Sequence, residues 1–151
     1  LGQGSIVQAA FAGTFDVICY NFSLHYICED RDTYDISLKA IACALNPDGL
    51  FIGVVPEKAR AEALANQYGY FKDSLGNEFA FLQGGRRLNV RLIDGPFYAE
   101  GGREEPVLDA TVLVHDLKAL GLELVLWEPM LSEPTGLISD LYSKFVFRKS
   151  R

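Results

Sequence analysis

Two apolar runs stand out in the first third of the 151-residue chain. Phe15 to Tyr20 and Leu50 to Val55 are short, mostly apolar segments bounded by polar residues, a pattern that predicts buried strands. Between them, apolar residues recur at intervals of four, three and four, which predicts one face of a helix: Tyr34, Leu38, Ile41 and Leu45. The turn from Asn46 to Gly49 ends this helix. Strand, helix and strand in this order predict a βαβ crossover, with the two strands parallel.

The middle of the chain alternates between helical and extended patterns. Glu57 to Gln67 is rich in alanine and predicts a helix. Asp109 to Leu120 predicts another helix, which Gly121 ends. The segment between them, Tyr68 to Gly102, contains glycines, aromatic residues and short alternating runs. We expect it to form irregular β structure against the edge of the sheet.

Two further strands are predicted near the C-terminal end, at Leu122 to Trp127 and Tyr142 to Phe147. The segment that joins them, Glu128 to Asp140, contains two prolines and a glycine and has no helical period, so we expect the two strands to be antiparallel. The whole pattern predicts one α/β domain with a mostly parallel sheet and an antiparallel last strand.

The net charge of the chain and the spacing of its cysteines exclude some classes of function. A net charge of −6 argues against binding along a DNA or RNA backbone, but it is compatible with one nucleotide in a pocket. No apolar run approaches the ~20 residues that a membrane span needs, so no membrane partner is expected. Cys19, Cys28 and Cys43 have no metal-binding spacing, which predicts buried thiols, a reducing intracellular compartment and no metal site.

The segment from Asn21 to Tyr26 places an amide, a phenyl ring, an imidazole and a phenol directly after the first predicted strand. In open α/β sheets, ligands bind beyond the carboxyl ends of the strands. These groups are suited to holding a flat, hydrogen-bonding ligand such as a nucleobase. The alternative is an ordinary loop whose aromatic residues anchor it to the core.

Several segments, in order along nearly the whole chain, resemble one family. Phe15 to Tyr26 is similar to the signature FD-I-x-x-x-Q-F-x-x-H-Y, Phe51 to Pro56 to F-I-G-T-x-P, and Leu75 to Phe79 to F-G-N-x-I/Y. Glu105 stands where the family has a glutamate ahead of Y-G-L-E-L-V, and Tyr142 to Lys149 is similar to Y-L-V-F-A-F-x-K. The family is that of the mRNA cap (guanine-N7) methyltransferases, which are class I S-adenosylmethionine-dependent enzymes.

The resemblance implies that residues 1–151 are the C-terminal part of one Rossmann-like methyltransferase domain. The glycine-rich motif that wraps the methyl donor in the family is absent from this chain, so an upstream half is expected to supply it. Two positions depart from the family pattern, since Asn21 replaces a glutamine and Gly4 an acidic residue.

The resemblance also implies a set of site residues. The cap guanine is assigned to six of them: Phe22, His25, Tyr26, Pro56, Glu105 and Tyr142. The cofactor S-adenosylmethionine, the methyl donor, is assigned to Ser5, Asn21 and Tyr26. Four arginines are candidates for the cap triphosphate: Arg86, Arg87, Arg91 and Arg103.

The implied reaction sets few chemical demands. Guanine N7 has an exposed lone pair and loses no proton before it attacks the methyl group, so no general acid or base is expected. Positioning can then supply roughly 7–11 kcal/mol in the best intramolecular models. Glu105 would accept hydrogen bonds from guanine N1–H and the exocyclic amine, His25 would bond the carbonyl oxygen, and aromatic rings would pack on the purine.

The leading hypothesis is methyl transfer from S-adenosylmethionine to N7 of the guanine cap of mRNA. Its partners would be a capped RNA 5′ end and the remainder of the methyltransferase domain or capping enzyme. Nucleus and cytoplasm both fit, as do the cytoplasmic factory or virion of a virus with its own capping enzyme. One alternative is a small-molecule methyltransferase of the same superfamily. The other is a non-catalytic, methyltransferase-like subunit that binds a partner.

Overall fold

A computed structural model describes residues 11–151 and contains eight strands and three α-helices in that part of the chain. The strands are β1 (Phe15–Asn21), β2 (Leu45–Pro56), β3 (Tyr70–Lys72), β4 (Glu78–Leu82), β5 (Arg87–Arg91), β6 (Arg103–Pro106), β7 (Leu122–Pro129) and β8 (Tyr142–Lys149). The helices are α1 (Arg31–Ala44), α2 (Lys58–Leu64) and α3 (Ala110–Ala119). Two 3₁₀ segments, Leu24–Glu29 and Ile138–Leu141, lie near the site described below.

The main sheet has the strand order β1-β2-β8-β7. Strands β1 and β2 are parallel, whereas β8 is antiparallel to both of its neighbours, so β1, β2 and β7 run in one direction. This confirms the predicted crossover and the predicted mostly parallel sheet with an antiparallel last strand.

The helix predicted between the first two strands forms as expected. Asp30 caps α1, because its side chain accepts hydrogen bonds from the backbone N–H (2.8 Å) and the hydroxyl (2.7 Å) of Thr33. Helical spacing turns one face of α1 and one of α3 toward the sheet, and both faces are buried in a single core. That core combines aliphatic helix residues with phenylalanines of the sheet: Tyr34, Leu38, Ile41, Leu113, Leu117, Phe51, Phe145 and Phe147.

Gly53 lets β1, β2 and β8 approach one another at the centre of this core. A Cβ atom at position 53 would lie 2.6 Å from Cζ of Phe145 and would also meet the carbonyl oxygen of Tyr20. The ring of Phe145 in turn packs edge-on against Phe51, with 5.0 Å between ring centroids. Only a residue without a side chain fits at this position.

A second sheet is formed by the segment between α2 and α3. Strands β3, β4, β5 and β6 are antiparallel in sequence order, a more regular arrangement than the irregular β structure predicted for this region. Phe79, Leu88 and Val90 form its buried face and pack with Ala61 of α2 and Leu141, next to the start of β8. The small sheet is thereby fixed beside the carboxyl end of β2.

Strand β1 is less buried than its apolar sequence predicts. Phe15 and Val17 are 41% and 50% exposed, and Cys19 is exposed as well. The physical reason is that β1 is the edge strand of the main sheet in residues 11–151. The prediction of buried thiols is therefore wrong for Cys19. It holds better for Cys28, since burial raises the pKa of that thiol to about 11.

Helix α2 is also shorter than predicted and ends at Leu64. The side chain of Asn66 accepts hydrogen bonds from the backbone N–H groups of Tyr68 (2.9 Å) and Tyr70 (3.2 Å), which stabilises a turn instead of another helical turn. Within residues 11–151, no helix is long and apolar enough to span a membrane.

Replacing Gly53 with alanine should destabilise the chain by about 1–3 kcal/mol, because the added methyl group overpacks the core. The thermal unfolding midpoint should fall by roughly 2–4 °C for each kcal/mol in a protein of this size. The control is Glu62→Ala on the exposed surface of α2, which should leave the midpoint nearly unchanged. An equally small effect of Gly53→Ala would contradict the close packing of these strands.

Candidate functional site

The carboxyl end of β1 turns sharply at Phe22. This residue has a left-handed backbone conformation, with φ of 58°, and its N–H donates to the carbonyl oxygen of Val54 at 2.7 Å. A positive φ is rare for a bulky side chain and costs free energy, and such strain is concentrated at functional sites. The turn leads into the 3₁₀ segment Leu24–Glu29 and directs His25 and Tyr26 toward the small sheet.

Glu105, on β6, meets these two residues from the other sheet. One of its carboxylate oxygens lies 3.0 Å from Nε2 of His25, and the other accepts a hydrogen bond of 2.8 Å from the Tyr26 hydroxyl. The register of β6 explains why Glu105 faces inward. It pairs with the buried Leu88 of β5, whereas the neighbouring Glu104 pairs with Asn89 and is exposed.

The charge state of this cluster is set by its hydrogen bonds. Burial alone would raise the pKa of Glu105, but hydrogen bonds from His25 and Tyr26, together with the nearby charge of Arg103, hold it below its ordinary value. Burial and the hydrogen bond to Glu105 raise the pKa of Tyr26 to about 12. At neutral pH the site therefore holds a fixed carboxylate beside a protonated phenol.

His25 is almost completely buried, with 2% of its surface exposed. To donate to Glu105 it must carry a proton on Nε2, and its Nδ1 has no hydrogen-bond partner among residues 11–151. In this structure the imidazole orients Glu105. Its predicted bond to a guanine carbonyl oxygen stays a prediction.

A cavity of about 440 Å³ opens beside Glu105, and we call it the Glu105 cavity. Five of the predicted guanine-site residues line it, together with four that the sequence did not single out: Phe22, His25, Tyr26, Glu105 and Tyr142, with Leu92, Met130, Ile138 and Ser139. Phe22 and Tyr142 meet edge to face, 5.2 Å apart, at an angle of 80°. Burial, then the charge of Glu105, raises the pKa of Tyr142 to about 12, so this phenol also stays protonated.

The sixth predicted guanine-site residue, Pro56, is buried at the end of β2 and pairs with Tyr142 of β8. It supports the cavity from behind Tyr142 and is not one of the lining residues. Of the predicted donor-site residues, Asn21 is exposed at the end of β1, where its side-chain oxygen accepts a weak bond of 3.3 Å from the Cys19 thiol. Tyr26 lines the cavity, and Ser5 lies outside the described residues.

Two polar residues of the turn between β3 and β4 hold the walls of the cavity. Asp73 is 7% exposed and accepts hydrogen bonds from the backbone N–H groups of Ile138 (2.9 Å), Leu75 (2.9 Å) and Asn77 (3.0 Å). The side-chain oxygen of Asn77 accepts from the N–H of Ile93, 2.9 Å away and next to Leu92. This gives the segment Leu75 to Phe79, noted above for its family resemblance, a structural role.

The unpredicted wall residues share a reason for being missed. Leu92, Met130 and Ile138 lie in connections between regular elements, where isolated apolar residues show no periodicity. Asp73 was missed for the opposite reason, because a polar residue near a glycine is typical of any turn, whereas Asn77 belongs to the segment Leu75 to Phe79 noted for its family resemblance. One signal in the sequence could have indicated these wall residues. The segment Met130 to Leu141 contains more apolar residues than is usual for a connection that is fully exposed to solvent.

Outside the Glu105 cavity, the described residues include fewer groups that are arranged to bind or act on a ligand. A second cavity of about 440 Å³ lies beside Glu57, Arg60 and Trp127. One oxygen of the Glu57 carboxylate, Oε2, is already engaged there. It accepts hydrogen bonds from Trp127 (3.1 Å) and from the Ser143 hydroxyl, and so ties the end of β2 to β7 and β8. No group of three His, Cys, Asp or Glu side chains in residues 11–151 is arranged to hold a metal ion.

Several solved structures with the same fold are S-adenosylmethionine-dependent methyltransferases. One from Clostridium acetobutylicum has a TM-score of 0.58 and 16% identity, over 91% of this chain and 59% of that one. One from Methanosarcina mazei has a TM-score of 0.59 and 14% identity, over 92% and 61% of the two chains. The 1,6-didemethyltoxoflavin-N1-methyltransferase of Burkholderia thailandensis, solved with 1,6-didemethyltoxoflavin and S-adenosylhomocysteine, has a TM-score of 0.52 and 18% identity, over 93% and 46%.

The TM-scores show that the fold is shared. Identities of 14–18% are too low to indicate the substrate. The chain spans 46–61% of the length of the three structures. No protein-family model matches the sequence, and no curated protein matches it either. The described part of the chain thus has the Rossmann-like fold of the class I methyltransferases, which confirms the predicted fold class.

Replacing Asp73 with alanine should loosen two walls of the cavity at once. The lost hydrogen bonds leave partly buried N–H groups without acceptors, which costs about 1–3 kcal/mol. Amide hydrogen exchange should speed up at Ile138 and at Ile93, the latter through Asn77. Asp94→Ala is the control, because Asp94 is exposed, and it should change neither rate. Unchanged protection at Ile138 in Asp73→Ala would show that Asp73 does not hold this wall.

The stability that Glu105 contributes should depend on pH. Its pKa in the folded chain lies below the ordinary 4.5, so the contribution is complete above pH 4.5 and is lost as the pH falls through the lower folded value. At pH 7 we expect Glu105→Gln to be less stable than the wild type by on the order of 1 kcal/mol, since the cavity is open to solvent screening. This difference in stability between the wild type and Glu105→Gln should disappear at acidic pH, where the Glu105 carboxylate is protonated.

Thermal unfolding from pH 7 to pH 3 measures this gap. Glu104→Gln, on the exposed face of the same strand, is the matched control. Its ion pair with Arg87, at 3.5 Å, is exposed to solvent, so the difference should be small and should change little with pH. A gap for Glu105→Gln that stays constant across the range would mean that Glu105 is not a stabilised anion in the folded chain.

Proposed function

We propose that this chain is the guanine-binding, C-terminal part of an mRNA cap guanine-N7 methyltransferase. It would transfer the methyl group of S-adenosylmethionine to N7 of the cap guanine. The observation that carries the proposal is convergence: Phe22, His25, Tyr26, Glu105 and Tyr142 come from three separate stretches of the chain and line one cavity. Their common focus is the anionic carboxylate of Glu105.

Glu105 has the chemistry to select guanine. The Watson–Crick edge of guanine presents two donors, the N1–H and the exocyclic amine, to a carboxylate. Adenine presents an acceptor nitrogen at the equivalent ring position, which an anion would repel. Each carboxylate oxygen has more than one lone pair, so Glu105 can accept from guanine while it remains bonded to His25 and Tyr26.

The same carboxylate would assist the reaction. Positive charge moves from the sulfonium of the donor onto the guanine ring during methyl transfer. A fixed anion beside the ring therefore binds the transition state more strongly than the substrate, which is the condition for lowering the barrier. Holding guanine by its N1 edge leaves N7 uncovered for the methyl group.

The aromatic walls suit the shape of a purine. Phe22 and Tyr142 offer ring surfaces for packing on the base or its sugar, and Pro56 supports Tyr142. A volume of about 440 Å³ lies within the range of roughly 300–1,000 Å³ for small-ligand pockets. The cavity can therefore hold one nucleoside.

The methyl donor requires residues beyond those described. Asn21 ends β1 and Tyr26 follows in the 3₁₀ segment Leu24–Glu29, and both would face S-adenosylmethionine, with Ser5 as a further candidate. Within residues 11–151, β1 is an edge strand with an exposed face around Phe15 and Val17, which supports a partner segment that completes the sheet, namely the rest of the methyltransferase domain. The capped 5′ end of an RNA would be the second partner, inside the cell.

A small-molecule acceptor is the second candidate. It is favoured by one structural neighbour, the 1,6-didemethyltoxoflavin-N1-methyltransferase of Burkholderia thailandensis. In this case the Glu105 cavity would bind a different donor-bearing ring, and no preference for capped nucleotides would follow.

Transfer of labelled methyl groups tests the proposal, with the chain joined to its donor-binding half and with GpppG and ApppA as acceptors. We expect transfer to GpppG only. Glu105→Gln should lower the rate by about a hundredfold, as removal of one group that stabilises transition-state charge does elsewhere. Glu104→Gln, its exposed neighbour, should keep the wild-type rate.

Three outcomes would count against the proposal. Transfer to GpppG and ApppA alike would mean that Glu105 does not select guanine. Donor binding without transfer to GpppG would favour the small-molecule acceptor. Neither donor binding nor transfer would favour a non-catalytic, partner-binding subunit.

A further inference from the structure

We propose that the cavity beside Glu57 and Trp127 is a second binding site, which takes a small organic cation with an ammonium group and an apolar body. Its volume is about 440 Å³, and we call it the Glu57 cavity. No step of the proposed methyl transfer uses this cavity, so the inference does not depend on the proposed guanine site.

The Glu57 cavity is separate from the Glu105 cavity, because the two share no lining residue. At the start of β8, Tyr142 lines the Glu105 cavity and Ser143 lines the Glu57 cavity, since successive side chains of a strand point to opposite sides. Just before β8, Ser139 and Asp140 divide in the same way. The Glu57 cavity is therefore not an extension of the guanine site.

Glu57 lies between β2 and α2 and is only 8% exposed. Its backbone N–H donates to the carbonyl oxygen of Leu141 at 3.1 Å. Its side chain is held through one oxygen, Oε2, which accepts from the indole N–H of Trp127 at 3.1 Å and from the Ser143 hydroxyl. The carboxylate is thus buried and fixed in position at the wall of the cavity.

The other carboxylate oxygen of Glu57, Oε1, has no hydrogen-bond partner among residues 11–151, and both donors to Oε2 are neutral groups. No Lys, Arg or His nitrogen in that part of the chain lies within 4.0 Å of this carboxylate. Asp73, the other buried carboxylate of the described residues, accepts N–H bonds on both oxygens. Glu57 therefore stands out as a buried anion whose charge is unpaired, which is costly unless a cation meets it.

The remaining charged groups of the cavity are engaged elsewhere. Glu128 pairs with Lys144 at 3.1 Å. The Asp140 carboxylate accepts from the backbone N–H (3.0 Å) and the hydroxyl (2.9 Å) of Thr135. Arg60 donates through Nε to the carbonyl oxygen of Asp140 at 2.8 Å. Three carboxylates against one guanidinium give the lining a negative charge, which favours a cation over an anion.

Trp127 supplies the second feature that an organic ammonium requires. Its ring stacks on Phe145, with 5.6 Å between centroids and an angle of 18°, and it also lines the cavity next to Glu57. A cation within about 6 Å of an aromatic ring is attracted to its face. The apolar side chains of Ala63 and Leu64 offer contacts for the body of the ligand.

The competing role of Glu57 is structural, since its bonds join the end of β2 to β7 and β8. That role uses Oε2 alone. It predicts no discrimination between ligands of different charge, whereas binding of an ammonium group at Oε1 does.

Trp127 is the one tryptophan of the chain, so the NMR signal of its indole N–H reports on this cavity. Three probes of similar shape are titrated into the 151-residue chain: phenethylamine, which is a cation at pH 7, neutral 2-phenylethanol and anionic 3-phenylpropionate. We expect phenethylamine to shift the signal with a dissociation constant at least tenfold lower than that of 2-phenylethanol, a difference of about 1.4 kcal/mol. The anion should bind most weakly.

Glu57→Gln keeps an acceptor for Trp127 but removes the charge, so it should abolish the tenfold preference for phenethylamine over 2-phenylethanol. Glu62→Gln removes one charge from the exposed surface of α2 and is the matched control, in which the preference should remain. A thermal unfolding midpoint near that of the wild type shows that Glu57→Gln is folded. If that variant does not fold, the three probes on the wild-type chain still decide the matter.

Four outcomes would overturn the inference. Equal affinity for phenethylamine and 2-phenylethanol would mean that charge does not select the ligand. No shift of the Trp127 signal with any probe would mean that the cavity binds none of them. Tightest binding of 3-phenylpropionate would make Arg60 the recognising group. A shift that is lost in Glu105→Gln but kept in Glu57→Gln would place the amine in the Glu105 cavity. The proposed guanine site is tested separately, by methyl transfer to GpppG.

Discussion

The hydrogen bonds from His25 and Tyr26 to Glu105 join the two sheets at the site. Glu105 belongs to the small sheet, and its partners follow β1 of the main sheet, 80 and 79 residues earlier in the chain. Moving a carboxylate out of water is costly, and only donors placed on both of its oxygens offset that cost. The site therefore forms only when both sheets have formed, and these bonds add to the apolar contacts that hold the small sheet beside β2.

The main sheet could be predicted because its signals are local. The period of Tyr34, Leu38 and Ile41 reports which side of α1 meets the core, and Asp30 and Gly121 mark where helices begin and end. The segment Asn21 to Tyr26 could be recognised from its place after β1, but Glu105 and Tyr142 were reachable only through family resemblance. Arg103, Glu104 and Glu105 look like a solvated run of charge until the pairing of Glu105 with Leu88 shows which way each side chain points.

What the sequence could not supply depends on contacts between distant segments. The apolar run of β1 was expected to be buried, yet an apolar strand is buried only where another element covers it, and residues 11–151 leave β1 at the edge. The orientation of His25 toward Glu105 likewise cannot be predicted unless the position of the small sheet is known. The same holds for the hydrogen bonds by which Asp73 and Asn77 connect a turn to two walls of the cavity.

The direction of the pKa shifts bears on how the site can act. A general acid or base works best with a pKa close to neutrality. Here the pKa of Glu105 is lowered, while the pKa values of Tyr26 and Tyr142 are raised to about 12, so all three move away from neutrality. Such groups hold a constant charge and a constant pattern of donors and acceptors near pH 7. This is what a methyl transfer to a ring nitrogen requires, because that reaction depends on position and on fixed charge and moves no proton before the methyl group is transferred.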